Sequence, residues 1–113
     1  MTDPIEPQVL RPYNRQEVFS VAEAAISAGR SKRTIRDWCL LYDIGRKVNG
    51  QWYLSKVALL MWLEGNREAL HAYLAGDRRS KLVTGYFARC EVPLPREFSS
   101  EKVDYRNQSN PNV

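Results

Sequence analysis

Five side chains within residues 31–36 have the chemistry to bind a polyanion: Ser31, Lys32, Arg33, Thr34 and Arg36. An arginine guanidinium can donate two parallel hydrogen bonds to guanine or to phosphate, while lysine and hydroxyl groups pair well with phosphate oxygens. Cations in the first turn of a helix oppose the helix dipole, so local stability does not explain them. We therefore interpret them as nucleic-acid contacts, with Arg33 and Arg36 as the pair that reads guanine.

The distribution of charge along the chain supports the same interpretation. The net charge is only +4 over 113 residues, but residues 30–56 hold seven basic and two acidic side chains. Residues 1–29 sum to −2 and residues 57–113 to +1. Positive charge is thus concentrated around the candidate contacts, as on a surface that faces DNA. A solvated basic surface without a partner is the alternative interpretation of charge alone.

Two predicted helices would position these side chains. Ser20 lies three residues before Glu23, the spacing of a capping box that starts a helix, and Gly29 is placed to end it. Ser31 is the next cap, and it predicts a second helix that runs to about Tyr42. Two helices joined by a short turn containing glycine form a helix-turn-helix, whose second helix inserts its first turn into the major groove.

A β-hairpin is predicted directly after the second helix. Asn49-Gly50 favours a type I′ turn, and residues 44–48 and 51–54 supply the two flanking strands. Ser55 then caps a third helix. A hairpin with a basic, polar tip beside a recognition helix is a wing, and its expected contacts with the minor groove or the DNA backbone are Arg46, Lys47, Asn49 and Gln51.

The order of these elements, with the segments FSVAEAA, SKRTIRDW, IGRKVNGQWYLS and KVALLMWLEG, resembles the excisionase-type winged helix-turn-helix of the MerR superfamily over roughly residues 19–65. The resemblance implies a mainly α fold with a small β-hairpin, a winged helix-turn-helix with additional C-terminal helices. It also implies double-stranded DNA as the partner, self-association in adjacent copies along it, and a tyrosine integrase as a further partner. The loop at residues 41–45 departs from the family, which has a glycine-rich loop at this place. The position at which the second helix ends is therefore predicted only to within a few residues.

Composition divides the rest of the chain into an N-terminal arm, a helical region and a C-terminal tail. Three prolines predict a flexible N-terminal arm over residues 1–18, either a simple tail or one that reaches a minor groove through Arg11 and Arg15. Residues 66–92 predict two further helices, the second capped by Asp77, and residues 93–113 a disordered polar tail. The two helices either complete the core or mediate self-association through an apolar set comprising Leu70, Tyr73, Leu82, Tyr86 and Phe87.

Nothing in the sequence predicts catalysis, a cofactor or a metal site. Motifs such as a phosphate-binding loop or a CxxC pair are absent, and His71 is the sole histidine. Cys39 and Cys90 are expected to be buried, reduced thiols. The longest apolar run, residues 57–63, is too short to cross a bilayer, and no secretory signal opens the chain, so a cytoplasmic, nucleoid-associated protein is expected.

These features lead to one main expectation of function. The protein is predicted to be a sequence-specific, architectural DNA-binding protein of the excisionase or recombination directionality factor type, which bends or coats attachment-site DNA and biases an integrase toward excision. A transcription regulator and a phage DNA-packaging small subunit are alternatives with the same module. A protein-interaction adaptor is the alternative from another class, and it predicts no specific duplex binding at moderate salt.

Overall fold

The chain folds as a mainly helical winged helix-turn-helix with a small antiparallel sheet, as predicted. A computed structural model describes residues 7–94. Within that range a single 3-10 turn (Arg15–Glu17) precedes, in chain order, β1 (Val18–Ser20), α1 (Val21–Ala28), α2 (Lys32–Tyr42), β2 (Gly45–Val48), β3 (Gln51–Ser55), α3 (Lys56–Leu63), α4 (Arg67–Leu74) and α5 (Lys81–Arg89).

The predicted caps set the limits of the helix-turn-helix. Glu23 N–H donates to the Ser20 hydroxyl at 3.1 Å, and Ser20 N–H donates to the Glu23 carboxylate at 2.8 Å, which completes the capping box. Gly29 ends α1 in the left-handed conformation with φ of 68°. The Ser31 hydroxyl caps α2 by accepting from Thr34 N–H at 3.1 Å. The predicted end of α2 at Tyr42 is confirmed despite the unusual loop.

The wing is part of a three-stranded sheet rather than an isolated hairpin. Asn49 and Gly50 both have positive φ, 51° and 81°, as a type I′ turn requires. β3 pairs with β2 on one side and with β1 on the other, so the strand order is β1-β3-β2. The additional strand β1, which the sequence analysis did not predict, anchors the wing to the segment that precedes α1.

The prediction of a flexible N-terminal arm is wrong for residues 7–18. Val9 and Leu10 are apolar and belong to the hydrophobic core, and each is only 2% exposed. Gln8 N–H donates to the Leu74 carbonyl at 2.9 Å, and Leu10 N–H donates to the Tyr73 hydroxyl at 2.8 Å. Residues 1–6 of the predicted arm lie outside the described residues.

The two C-terminal helices complete the core. Val57, Ala58, Leu59 and Met61 of α3 are at most 2% exposed, and a helix that is apolar on all sides needs cover on more than one face. α4 and α5 provide this cover. Buried apolar surface of this kind is the main favourable contribution to folding, at about 25 cal/mol per Å².

Of the two roles left open for these helices, completion of the core is the one that the burial of their apolar residues supports. Leu70, Tyr73, Tyr86 and Phe87 are at most 6% exposed, and Leu82 is half-buried against the core. Their apolar periodicity reflects packing within the chain. Leu70, Tyr73, Tyr86 and Phe87 are covered by their own protein and are not available to a second copy.

Two smaller predictions about the C-terminal region have different outcomes. Ser80, not Asp77, caps α5, by accepting from Val83 N–H at 3.3 Å. Asp77 instead accepts from the backbone N–H groups of Arg79 and Ser80 in the preceding turn, which holds the pKa of its carboxyl below the ordinary value. The predicted disordered tail, residues 93–113, lies outside the described residues apart from positions 93 and 94. No helix within residues 7–94 is long and apolar enough to cross a membrane.

Candidate nucleic-acid interface

The first turn of α2 presents its cations to solvent. Lys32, Arg33 and Arg36 are exposed, and none of them has an ion pair or hydrogen bond with another residue in 7–94. Ser31 and Thr34 are joined, because the Ser31 hydroxyl donates to Thr34 Oγ1 at 3.0 Å. The Thr34 hydroxyl hydrogen consequently remains able to donate to an acceptor outside the protein.

Packing on the opposite face fixes the direction of these side chains. Ile35 and Cys39 lie on the inner face of α2 and are 0% and 1% exposed. The Tyr42 ring stacks on Trp62 of α3 at 4.0 Å between centroids, and Trp38 meets the same ring edge-on at 5.9 Å. Because these contacts cover the apolar stripe, the cationic stripe at the start of the helix must face outward.

The wing presents a second group of polar side chains. Lys47, Asn49 and Gln51 are exposed, and Arg46 is half-buried and takes part in an interaction within the chain. Lys47 Nζ lies 5.9 Å from the centroid of the Trp52 ring. Gln51 Oε1 accepts from the Tyr53 hydroxyl at 3.1 Å, and its amide nitrogen keeps its capacity to donate to a partner.

A concave surface joins the recognition helix to the wing. We call it the helix–wing depression; its volume is about 270 Å³, and its lining residues are Ser20, Val21, Arg36, Gly50, Gln51, Trp52 and Tyr53. Arg36 and Gln51, predicted from separate motifs, are thus brought together. The other predicted contacts do not line this depression, although Arg46 and Lys47 line an adjoining one with Pro7, Val9, Asp43, Gly45 and Trp52.

Arg78 and Arg89 differ from the cations of α2 because they have partners within the chain. Arg78 is 2% exposed and donates to four backbone carbonyls, those of Gln8, Arg11, Tyr73 and Asp77, at 2.6–2.9 Å. Arg89 forms a two-point ion pair with Glu64, and this hydrogen bonding lowers the pKa of Glu64 to about 2. The exposed arginines of α2 have no such function in folding.

A buried carboxyl group, that of Glu17, lies next to the end of β3. Glu17 is 1% exposed and accepts from the Ser55 hydroxyl at 2.5 Å and from the Tyr73 hydroxyl. Burial raises the pKa of Glu17, although these two hydrogen bonds and Arg78 oppose the shift. The cluster joins the 3-10 turn, the cap of α3 and α4, and it faces the interior of the protein.

The thiols and the histidine form no reactive group. Cys39 and Cys90 are unpaired, and burial raises the pKa of Cys39 to about 12, so this thiol is protonated at neutral pH. His71 is exposed on α4. Within residues 7–94 no three side chains of the metal-binding types are grouped to hold an ion.

Sequence reasoning missed the N-terminal segment as a neighbour of the wing. A second concave surface, the Tyr13 depression, has a volume of about 290 Å³ and is lined by Leu10, Tyr13, Arg46, Val48 and Tyr53. The available signal was the apolar pair Val9-Leu10 between Pro7 and Pro12, which a solvated arm does not need.

Comparison of the chain with known protein families, with curated proteins and with solved structures gives no match.

Proposed function

We propose that this protein binds double-stranded DNA with sequence specificity through α2 and the wing. The observation that carries the proposal is the set of exposed cations at the start of α2, Lys32, Arg33 and Arg36, which have no partner within residues 7–94. Local folding gains nothing from cations at a helix N-terminus. A phosphate backbone and the acceptors of guanine would give them partners.

The geometry supports different DNA contacts for α2 and for the wing. The first turn of α2 would enter the major groove, with Arg33 and Arg36 donating in pairs to guanine O6 and N7 and with Lys32 binding phosphate. The wing would follow the adjacent minor groove or backbone through its exposed polar residues. The helix–wing depression supports this arrangement, because Arg36 and Gln51 lie on one concave surface.

The more specific proposal is that the protein acts architecturally, as an excisionase-type recombination directionality factor. This role rests on the resemblance of residues 19–65 to that family, and it includes adjacent copies on DNA and a tyrosine integrase as partner. Contacts between adjacent copies would use residues other than the buried set on α4 and α5. A transcription regulator or a DNA-packaging small subunit would share the same mode of binding.

Binding of the purified chain to duplex DNA, followed by fluorescence anisotropy over a series of salt concentrations, tests the proposal. We expect tight binding to a duplex selected from a random pool, weaker binding to random sequence, and a linear fall of log affinity with log salt. Failure to bind any duplex at moderate salt would reject DNA binding and favour the protein-interaction adaptor.

A footprint over the chromosomal region around the coding sequence distinguishes the biological processes. Protected direct repeats, spaced by about one helical turn of 10–10.5 base pairs beside an integrase attachment site, would support a role in excision. A single palindrome within a promoter would instead favour a transcription regulator.

A further inference from the structure

The face of the wing that carries Gln51 continues beyond the helix–wing depression. Arg46 lies opposite Tyr53 and Val48 lies opposite Gln51 in the β2–β3 ladder, and directly opposed residues share a face of the sheet. Tyr53 lines the helix–wing depression and also the Tyr13 depression. The two depressions therefore share Tyr53 as a lining residue, and Arg36 lines one of them while Tyr13 lines the other.

Tyr13 is unusual among the aromatic residues of the described chain. Its side chain is 71% exposed, and its hydroxyl has no hydrogen-bond partner within residues 7–94. The other large apolar side chain at the rim of this depression, Val48, is also exposed, at 46%. The exposed ring and the exposed aliphatic group offer a partner apolar surface, together with a hydroxyl that can donate.

The backbone that carries Tyr13 is fixed in place. Leu10, three residues earlier, is 2% exposed and lines the same depression. The Arg78 guanidinium holds the carbonyls of Gln8 and Arg11 at 2.6 and 2.8 Å. Asn14, the next residue, donates to the Pro93 carbonyl at 3.1 Å. Tyr13 is therefore presented by an anchored segment, so a contact through its ring would need little additional ordering.

We propose that Tyr13 is a third DNA contact, beside α2 and the wing, and that it binds the sugar-phosphate backbone of the duplex lying against the wing. This inference rests on the proposed function. The ring would pack on a deoxyribose, and the phenolic O–H would donate to a phosphate oxygen, a contact that tyrosine commonly makes with DNA. Tyr13 would add affinity without reading sequence, because sugars and phosphates are the same at every base pair.

Photo-crosslinking locates Tyr13 relative to DNA directly. The full chain with Tyr13→p-benzoylphenylalanine is irradiated with a random-sequence duplex, beside chains that carry the same replacement at Arg36 and at Leu63. Leu63 is a matched control, because it is 43% exposed on α3 and lines neither depression. We expect crosslinks from positions 13 and 36 and none from position 63.

Each other outcome of that experiment has a distinct meaning. Crosslinking from position 36 without crosslinking from position 13 overturns the assignment of Tyr13 and leaves the proposed function intact. The absence of crosslinks from both positions rejects the proposed function if the unmodified chain does not bind DNA either, and overturns the assignment of Tyr13 if the unmodified chain binds. Equal crosslinking from position 63 shows contact without orientation, and this also overturns the assignment.

Affinity measurements then separate the hydroxyl from the ring. Loss of one hydrogen bond to a charged phosphate oxygen in Tyr13→Phe should weaken binding about 10- to 150-fold. Tyr13→Ala should weaken it further. The loss should be the same on selected and random duplexes, and the salt slope should not change, because a neutral donor releases no counterion. Melting temperatures equal to that of the unmodified protein would show that both variants are folded. Unchanged affinity in either folded variant overturns the proposal.

Discussion

Replacing Arg36 with alanine removes a guanidinium from the helix–wing depression. The side chain is exposed and has no ion pair within residues 7–94, so the free energy of unfolding should change by no more than about 0.5 kcal/mol. A bidentate contact with guanine is worth about 1–3 kcal/mol. The affinity for a selected duplex should therefore fall about 5- to 150-fold, while the affinity for random sequence falls much less.

Anisotropy titrations on three duplexes check this prediction. One is the selected duplex, the second is a random sequence, and the third is the selected duplex with its guanines replaced by 7-deazaguanine, which lacks the N7 acceptor. Arg36→Ala should cost less on the modified duplex, because the second acceptor of the bidentate contact is already absent. The matched control is Arg67→Ala, which removes another exposed arginine, one that lies over the Trp62 ring outside the depression.

Three results would refute the reasoning about Arg36. Equal losses on the selected and random duplexes would show that Arg36 binds phosphate and does not read a base. Unchanged affinity for both duplexes would mean that the side chain does not lie in the protein–DNA interface at all. A loss of the same size in Arg67→Ala would show that the effect comes from net charge.

Three further predictions test the wing, a buried carboxyl and the core. Lys47→Ala should weaken binding to all sequences alike and reduce the salt slope of log affinity by about 0.9, and an unchanged slope would exclude Lys47 as a phosphate contact. Because burial raises the folded-state pKa of Glu17 above its ordinary value of 4.5, the folded protein binds more protons than the unfolded chain between the two values. Stability should fall as pH rises through that window, by at most about 1.4 kcal/mol per pH unit, and then level off. Urea unfolding over a pH series should show this contribution in the wild type and not in Glu17→Gln, and identical profiles would contradict the assignment. Leu54 is completely buried, so Leu54→Ala should cost about 2–5 kcal/mol in urea unfolding, whereas a change below about 1 kcal/mol would contradict the described core.

Local signals were sufficient to predict the limits of the helix-turn-helix and the turn of the wing. The capping pair Ser20 and Glu23, the cap at Ser31 and the Asn49-Gly50 turn each act within four residues, so the sequence alone determines them. The outward direction of Arg33 and Arg36 followed from the apolar stripe on the other side of α2. Their contact with DNA stays a prediction.

Long-range contacts account for what the sequence did not predict. β1 is only three residues long and exists because Phe19 pairs with Leu54, which lies far along the chain. From the sequence alone, Arg78 is expected at the surface. It is buried because four carbonyls from separate segments accept hydrogen bonds from its guanidinium. Exposure of Leu70 or Tyr73 could not be decided before the position of α5 was known.

The bonds of Arg78 have a consequence for the order in which this protein can fold during its synthesis. The carbonyls of Gln8 and Arg11 leave the ribosome 70 and 67 residues before their guanidinium partner. A nascent chain that ends before Arg78 lacks both bonds, and only the bonds of Gln8 to Leu74 and of Leu10 to Tyr73 can then hold the N-terminal segment. The full set of contacts that fixes the backbone around Tyr13, which includes the bond of Asn14 to Pro93, can therefore form only after nearly all the described chain has been translated.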